Sequence, residues 1–387
     1  MRIYLDNNAT TPLHPAVLQA ISSAMEEHFG NPSSVHREGQ LARRMLEESR
    51  EALAALLGVE PREVIYTSGG SESNNAAIHG FVSPGKRSRI VTTSIEHPSV
   101  AEPLSMLEQD GVAEIVRVEP GTTGRVAASA MIEAVDAAET SLVVMMLANN
   151  ETGVMQPVSE VAAACRDRGI PLHCDAVQAA GRIPVDADAL GATSLSISAH
   201  KMHGPKGIGA LYVRRGTVLR RLVSGGAQER RRRAGTEAVP LAVGFAAAAR
   251  LVGSEGMEEM RKARDRFEQL LMESIPEAII HGSAVERIPN TSSVHIPGID
   301  AQSLVIALDL RGVAISTGSA CSSGRVEPSR VLIEMGLSVE DARSSIRVSV
   351  GRLTTADEID RAVRLLSELV PSSRAAASGA GGTVETR

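Results

Sequence analysis

The chain reads SAHKMHGPKG at residues 198–207, and this stretch places Lys201 between a strand-like run and a glycine–proline turn. The residues just before it, 193–198, alternate polar and apolar side chains in the way that predicts a β-strand. A strand end is a rigid support for an ε-amine, and such an amine can hold an aldehyde as a Schiff base. Taken alone, the segment is more typical of a solvated surface lysine, which is the usual place of this residue type.

An acidic residue ends a second short apolar run upstream. Residues 172–178 read LHCDAVQ, with Asp175 at the end of the run and Gln178 three residues later. Pyridoxal phosphate withdraws electrons only while its ring nitrogen is protonated, so its sites pair a Schiff-base lysine with an anionic partner. Asp175 fits that role, and Gln178 could donate to the ring hydroxyl. Asp175 could also be the N-cap of a helix that starts at Ala176, and the two roles are compatible.

A candidate phosphate site lies earlier in the chain. Residues 63–66 predict a strand, residues 67–71 (TSGGS) a turn, and residues 72–78 the start of a helix. Backbone N–H groups at a helix N-terminus bind phosphate, and glycines let the main chain approach closely. The spacing matches neither the P-loop nor the dinucleotide fingerprint. A plain strand-to-helix turn therefore remains the alternative.

Five further motifs accompany these three: YLDNNATTP at 4–12, EH at 96–97, NNETG at 149–153, RAGTE at 233–237 and TGSACSSG at 317–324. Together they resemble the cysteine desulfurase family of the NifS/IscS type. The resemblance extends from about residue 3 to about residue 369. The ordered set is far more specific than any single motif in it.

The resemblance implies an α/β fold of the fold-type I pyridoxal phosphate enzymes. A large domain with a mostly parallel sheet would be followed by a smaller α+β C-terminal domain, against which the N-terminal arm packs. It also implies a homodimer whose active sites lie at the subunit interface. The implied reaction removes sulfur from L-cysteine, giving L-alanine and a persulfide that passes to acceptors such as iron–sulfur cluster assembly or tRNA thiolation proteins.

The resemblance also assigns roles to individual residues. Lys201 would hold the cofactor, Asp175 its ring nitrogen and Gln178 its ring oxygen, while His97 would stack on the ring and act as an acid–base group. The remaining roles concern phosphate, substrate and sulfur: Gly70, Ser71, Ser198 and His200 on the phosphate, Thr236 on the phosphate of the neighbouring subunit, Asn150 and Arg347 facing the cofactor and the substrate carboxylate, and Cys321 as the sulfur acceptor.

The three cysteines differ in their surroundings. A thiolate is the nucleophile in persulfide formation, and turn-forming residues around Cys321 predict the exposed loop that such a group needs. Burial as a small apolar residue is the alternative for Cys321. Cys165 falls in a helical apolar pattern and Cys174 in a strand, so we expect both to be buried. The spacing of His173, His200 and His203 lacks the second ligand pair of a structural zinc site, so we predict no metal.

Composition narrows the class of protein. The 387 residues are 43% hydrophobic and 22% charged with a net charge of −6, and tryptophan is absent, so we expect no nucleic-acid partner. The basic run at 230–233 is either a solvated face or part of a dimer or phosphate contact. Without a signal segment at the start or an apolar run of membrane length, we expect a soluble, cytoplasmic protein with reduced thiols.

Length favours two domains. We expect four segments: an arm over 1–15, a large cofactor-binding domain over 16–256, a smaller domain with the Cys321 loop over 257–371, and a disordered tail over 372–387, where Ala, Ser and Gly show no periodicity. The short tail and Arg330, at a position where the family commonly has histidine, leave the sulfur acceptor open. An aminotransferase or lyase of the same fold would not require the loop thiol, and a non-catalytic assembly subunit would lack cofactor groups.

Overall fold

The computed structural model describes residues 2–82, 88–318 and 327–380. The strands in these segments are β1 (Ile3–Tyr4), β2 (Val64–Thr67), β3 (Ser88–Thr93), β4 (Ala113–Val118), β5 (Thr140–Met146), β6 (Leu172–Asp175), β7 (Ser194–Ser198), β8 (Gly209–Val213), β9 (Ile279–Ile280), β10 (Thr291–His295), β11 (Val313–Ala314) and β12 (Ser345–Ser349). Single 3₁₀ turns lie at Pro61–Glu63 and Ala199–Lys201.

Helices connect and cover these strands. In chain order they are α1 (Pro15–Glu27), α2 (Arg37–Leu57), α3 (Gly70–Phe81), α4 (Pro98–Gln109), α5 (Ala128–Ala134), α6 (Val158–Asp167), α7 (Ala187–Leu190), α8 (Gln228–Arg231), α9 (Val239–Arg250), α10 (Ser254–Ser274), α11 (Ala301–Leu310), α12 (Arg330–Glu334), α13 (Val339–Arg343) and α14 (Ala356–Ala380). Within the described segments, no helix is both long enough and apolar enough to cross a bilayer.

The described residues contain a seven-stranded sheet in the order β2-β8-β7-β6-β5-β3-β4. Neighbouring strands from β7 to β4 are parallel, whereas β8 is antiparallel to both of its neighbours, β2 and β7. Because β8 is antiparallel to both β2 and β7, these two strands run in the same direction. The carboxyl ends of β2, β3, β5, β6 and β7 therefore meet at one edge of the sheet, where ligands of open α/β sheets bind.

Strand β5 shows how both faces of this sheet are covered. Leu142 and Val144 pack in an apolar cluster with residues of α3 and α4. Val143 and Met145 point to the other face and belong to a cluster with residues of α1, α2 and α9. A nearly continuous apolar run is typical of a parallel strand buried on both faces. The sheet is thus the middle layer between two layers of helices.

A second apolar cluster lies in the C-terminal part of the chain. Strands β12, β10 and β9 form an antiparallel sheet, and residues of α10, α11 and α14 supply most of its apolar cover. The N-terminal residues Ile3 and Leu5 belong to the same cluster. Strand β1 pairs in parallel with β11, and Asp6 forms a bridge with Ser349. The two ends of the chain are therefore joined in this part of the fold.

The predicted α/β fold, with a mostly parallel sheet and a smaller α+β part, is confirmed. The segment boundaries at 15/16 and 256/257 stay predictions. The predicted disorder from residue 372 is wrong, because α14 continues through Ala380. Arg374 anchors this extension by donating to Glu277 at 2.6 Å and to the carbonyl of Pro297 at 3.0 Å, and alanine strongly favours helix. Residues 381–387 lie outside the described segments.

A buried ion pair fastens a strained turn to the large sheet. Arg50 of α2 forms two hydrogen bonds with Glu229, at 2.7 and 2.9 Å, and both side chains are almost fully buried. The Glu229 carboxylate also accepts from the backbone N–H of Tyr66 in β2 at 3.0 Å. Glu229 and the next two residues have φ between 44° and 66°, a left-handed conformation that is unfavourable for residues other than glycine. The pair therefore holds a turn that the local sequence would not hold by itself.

Glu229→Gln should destabilise the fold strongly, because it leaves the buried Arg50 charge with only the half-exposed carboxylate of Glu47, 3.3 Å away, as a counter-ion. We expect the free energy of unfolding to fall by about 3–5 kcal/mol, measured by urea denaturation with circular dichroism. The matched control is Glu368→Gln, which breaks a half-exposed 3.1 Å pair with Arg311 and should cost about 0–1 kcal/mol. Equal losses in the two variants would contradict the role given to the buried pair.

Candidate active site

A cavity of about 240 Å³ lies where the carboxyl ends of the co-directional strands meet. Its walls come from the start of α3, the connection after β3, the end of β5 and the residues that follow β6 and β7. The lining residues are Gly70, Ser71, His97, Ser99, Met146, Ala148, Asn150, Asp175, Val177, Gln178, Ser198, His200 and Lys201. Most of the residues predicted from the motifs are thus gathered around one cavity.

Lys201 lies on the 3₁₀ turn that directly follows β7. The turn closes tightly: a Cβ at Gly204 would come within 2.8 Å of the Ala199 carbonyl oxygen, so only glycine fits there. The ε-amine donates to the backbone carbonyls of Asn8 and Ala9, the latter at 2.8 Å. These two carbonyls belong to the N-terminal arm, which therefore orients the amine at the cavity wall.

The surroundings of Lys201 favour the neutral form of its ε-amine. Burial, followed by the positive charges of Arg182 and Arg347, lowers its pKa to about 7. Arg182 is buried and donates to the carbonyls of Gln178 at 2.8 Å and Asn7 at 2.9 Å. A large fraction of Lys201 is therefore unprotonated, and so nucleophilic, near neutral pH.

Asp175 ends β6 and is nearly buried. One carboxylate oxygen accepts from the backbone N–H of Val177 at 2.9 Å, and the other accepts from the side-chain amide of Asn74 at 2.7 Å. The residues after Asp175 form a turn rather than the helix that the sequence suggested. A main-chain donor and a side-chain donor thus hold the carboxylate in one orientation at the cavity.

His97 is the N-cap of α4, and its Nδ1 accepts from the backbone N–H of Ser99 at 3.1 Å. The Ser99 hydroxyl lies 2.8 Å from the same nitrogen. Burial lowers the pKa of His97, with Asp175 raising it and Lys201 lowering it. The ring is therefore neutral near pH 7 with its proton on Nε2, the nitrogen that remains free to act on a ligand.

The wall near α3 has the features of an anion site. The N-cap Gly69 supplies no side-chain hydrogen bond to the first turn. A Cβ at Gly70 would lie 2.7 Å from a methyl carbon of Val177, so glycine permits this close approach. The Ser198 hydroxyl is buried and has no hydrogen-bond partner among the described residues. Among the described residues, the amides of Gly70 and Ser71 also have no acceptor, and amides at the start of a twelve-residue helix can bind a phosphate.

Two predicted site residues of the described segments, Arg347 and Thr236, do not line the cavity. Arg347, on β12, donates to the Asp6 carboxylate at 2.7 Å and to the Asn150 carbonyl at 3.0 Å, so it lies just behind the wall. Thr236 is exposed between α8 and α9. Cys321 lies outside the described residues.

Comparison with known proteins identifies the family to which this arrangement belongs. The family model described as aminotransferase class-V matches residues 3–362. A cysteine desulfurase from Nostoc sp. is 42% identical over 378 residues, which cover 96% of this chain and 94% of that protein. This chain belongs to the cysteine desulfurase family of class-V aminotransferases. The resemblance to this family seen in the ordered motifs is confirmed.

Two solved structures are similar to this member of the cysteine desulfurase family over nearly its whole length. A NifS-like protein gives a TM-score of 0.89 at 35% identity, covering 96% of this chain and 100% of that one. SspA in complex with cysteine gives a TM-score of 0.82 at 32% identity, covering 91% of this chain and 100% of that one. The fold-type I architecture expected for the family is therefore confirmed, while the roles of single residues stay predictions.

Three polar residues of the site have no place in the sequence predictions: Asn74, Ser99 and Arg182. Asn74 follows Gly70 by one helical turn on α3, so the two lie on the same face of the helix, and this spacing could have indicated it. Ser99 lies one residue beyond the proline that follows His97. Arg182 gave no signal, because nothing in its local sequence shows that it is buried.

Replacing Arg182 should alter the titration of Lys201. Arg182→Met removes a neighbouring positive charge, so we expect the pKa of Lys201 to rise above about 7 and the neutral amine to appear only at higher pH. The test is reductive methylation of the cofactor-free protein across a pH series, with the Lys201 peptide quantified by mass spectrometry. Arg182→Lys keeps the charge and should shift the profile less. An unchanged profile in the methionine variant would rule out this electrostatic effect.

Proposed function

We propose that this chain is a cysteine desulfurase, which takes sulfur from L-cysteine, releases L-alanine and leaves a persulfide on Cys321. One observation carries the proposal: the amine of Lys201, the carboxylate of Asp175 and the imidazole of His97 face the same cavity. The amine has a lowered pKa, the carboxylate is held in one orientation and the imidazole is neutral. They come from three separate strand ends. Family membership supports the same conclusion.

The cavity fits pyridoxal 5′-phosphate. The amides of Gly70 and Ser71, the unpaired hydroxyl of Ser198 and the ring of His200 would bind its phosphate. Three further groups would bind the rest of the cofactor: Asp175 at the ring nitrogen, Gln178 at the ring oxygen and Lys201 at the aldehyde. When bound, the cofactor supplies an electron sink for the α-carbon of an amino acid.

Two groups of the chain are suited to moving protons. Lys201, with a pKa lowered to about 7 by burial and then by Arg182 and Arg347, can accept and return a proton near neutral pH. His97 presents Nε2 to the cavity while Ser99 occupies Nδ1. Its neutral ring can therefore assist proton transfer from a fixed position by donating a hydrogen bond from Nε2, while Lys201 carries the proton.

Arg347 would bind the substrate carboxylate. Its guanidinium already pairs with a carboxylate, that of Asp6, and its buried Nε has no partner among the described residues. A planar guanidinium binds a carboxylate through two parallel hydrogen bonds, a geometry that an ammonium group cannot reproduce. We infer that the carboxylate of cysteine engages this guanidinium beside Asn150, in competition with Asp6.

The sulfur acceptor is Cys321. Burial raises the pKa of Cys165 to about 11, and burial together with nearby carboxylates raises that of Cys174 well above its usual range. Neither is a thiolate near neutral pH. In the transfer step the Cys321 thiolate forms a sulfur–sulfur bond while the Cβ–S bond of the substrate breaks. The electron pair stays with the carbon, which takes up a proton and becomes the methyl group of alanine.

The proposal includes partners and location. Thr236 is exposed and does not line the cavity of its own chain, which supports a homodimer in which it reaches the phosphate of the neighbouring site. The persulfide would pass to a sulfur-acceptor or iron–sulfur scaffold protein. We place the protein in the cytoplasm, where thiols remain reduced, with no nucleic-acid or membrane partner.

Arg347→Lys should weaken cysteine binding. Lysine keeps the positive charge but loses the paired hydrogen bonds, so we expect KM for cysteine to rise about tenfold, measured by alanine production at varied cysteine. Arg343→Lys, an exposed position on α13, is the matched control and should leave KM unchanged. Identical cysteine kinetics in both variants would refute the carboxylate role.

Cys321→Ser should separate the two halves of the reaction. Serine is scarcely ionised near neutral pH and is a far weaker nucleophile than a thiolate. We therefore expect the variant to bind pyridoxal phosphate and to change its absorbance spectrum on adding cysteine, but to form no persulfide by mass spectrometry. Cys165→Ala is the control and should still form persulfide on Cys321.

The outcomes of this experiment discriminate between functions. Full alanine production by the serine variant would show that Cys321 is not the acceptor and would favour a lyase or aminotransferase of the same fold. Failure of the unmodified protein to bind pyridoxal phosphate at all would overturn the enzyme proposal itself.

A further inference from the structure

Asn74 lies on α3 beneath the cavity and is fully buried. Its amide nitrogen donates to Asp175 at 2.7 Å and to the Ser99 hydroxyl at 2.9 Å, and its carbonyl oxygen lies 3.0 Å from Nε2 of His173. Both hydrogens of the amide and its oxygen are therefore in use. Asn74 thus contacts Asp175 directly and His97 through the Ser99 hydroxyl, and both of these groups have central roles in the proposed function.

The neighbours of Asn74 determine which way its amide points. The Asp175 carboxylate only accepts, so the NH₂ group must face it and the carbonyl oxygen must face His173. His173 must then carry its proton on Nε2, while its Nδ1 accepts from the Ser194 hydroxyl at 2.8 Å. The Ser196 hydroxyl, 3.4 Å from Nε2, is a more distant neighbour. Burial lowers the pKa of His173 to about 3, so the ring stays neutral.

The second amide hydrogen of Asn74 orients Ser99 in a similar way. Because the Ser99 oxygen accepts from Asn74, its own hydrogen is directed at Nδ1 of His97, 2.8 Å away. The backbone N–H of Ser99 points at the same nitrogen. Two donors aimed at Nδ1 favour the neutral ring with its proton on Nε2.

We propose that Asn74 is a positioning residue that orients Asp175 and His97 together, with His173 and Ser194 fixing the direction of its amide. The inference rests on the proposed function, which gives Asp175 its role at the ring nitrogen and His97 its acid–base role. One side chain would then orient both groups. The next residue, Asn75, provides a contrast. Its amide donates to main-chain carbonyls, those of Ser71 at 2.9 Å and Ser99 at 3.3 Å.

The first test reads the hydrogen-bond direction in the unmodified, cofactor-free protein. With ¹⁵N-labelled histidine, nuclear magnetic resonance should show His173 protonated on Nε2 and bare on Nδ1, without titration between pH 5.5 and 8.5, a range above its pKa of about 3. A proton on Nδ1 would require the Asn74 amide to be reversed, with its oxygen against Asp175. That result would overturn the proposal whether or not the chain is a desulfurase.

Asn74 acts through two branches, one to Asp175 and one through Ser99 to His97, and the second test separates them with three variants. Asn74→Leu removes both, Ser99→Ala removes the branch to His97, and Asn75→Ala is the matched control. Two quantities are measured: the dissociation constant of pyridoxal phosphate, by absorbance, and the pKa of His97 in the cofactor-free protein, by nuclear magnetic resonance. Asp175 and Lys201 are the charged groups that face the His97 ring, and all three variants keep them.

Each variant has its own expected pattern. Asn74→Leu should raise the dissociation constant by on the order of ten- to a hundredfold and raise the pKa of His97 by about 0.5 to 1. Ser99→Ala should raise that pKa similarly while changing the dissociation constant less than about twofold. Asn75→Ala should leave both near the values of the unmodified protein.

The contrary results are equally distinct. If Asn74→Leu folds and matches Asn75→Ala in both quantities, Asn74 has no positioning role. If Asn74→Leu does not fold, an unchanged His97 pKa in Ser99→Ala still contradicts the branch to His97. If the unmodified protein binds no pyridoxal phosphate, the proposed function fails, while the His173 tautomer and the His97 titration still decide the role of Asn74.

Discussion

The common direction of six strands is the constraint on which the site depends. Because β2 runs the same way as β3, β4, β5, β6 and β7, the segments that follow all six leave the sheet at one edge. Strand β8 separates β2 from β7 and runs the opposite way, so it begins at this edge, with Gly209. A Cβ at Gly209 would lie 2.6 Å from the carbonyl carbon of Gly69, so the reversed strand brings two main chains together beside the anion site.

Three positively charged side chains lie close together at this edge of the sheet, an arrangement that is unfavourable for the stability of the fold. Lys201, Arg182 and Arg347 lie close enough for the two guanidinium groups to lower the pKa of the lysine, after burial has already done so. Arg182 itself is fully buried, and burial lowers its pKa to about 9. Placing like charges together away from water is unfavourable. The apolar clusters on both faces of the sheet offset this cost in folding free energy. Such a loss of stability at a site that needs activity is common in enzymes.

The parts of the site that form local patterns could be predicted from the sequence. Lys201 and Asp175 each follow a short strand pattern, and the residues at the start of α3 follow a strand and two glycines. The spacing from Gly70 could have placed Asn74 at the site, but not its role, because two of its partners, His173 and Asp175, are 99 and 101 residues distant. Arg182 could not be found at all, because the sequence does not show that it is buried against the N-terminal arm. The helical residues 372–380 were predicted to be disordered, because the bonds of Arg374 are to residues that are remote in the chain.

The N-terminal arm has a consequence for how the molecule is made. Asn8 and Ala9 hold the amine of Lys201, while Asn7 is bonded through its backbone to Ser349 at 3.1 Å. The large sheet has all its strands once Val213 has been synthesised, and the arm can already bond to His200 and His203, but its bond to Ser349 cannot form until β12 has left the ribosome. During translation the arm can therefore join the completed sheet first, and its bonds to β11 and β12 form in a later step, when those strands emerge.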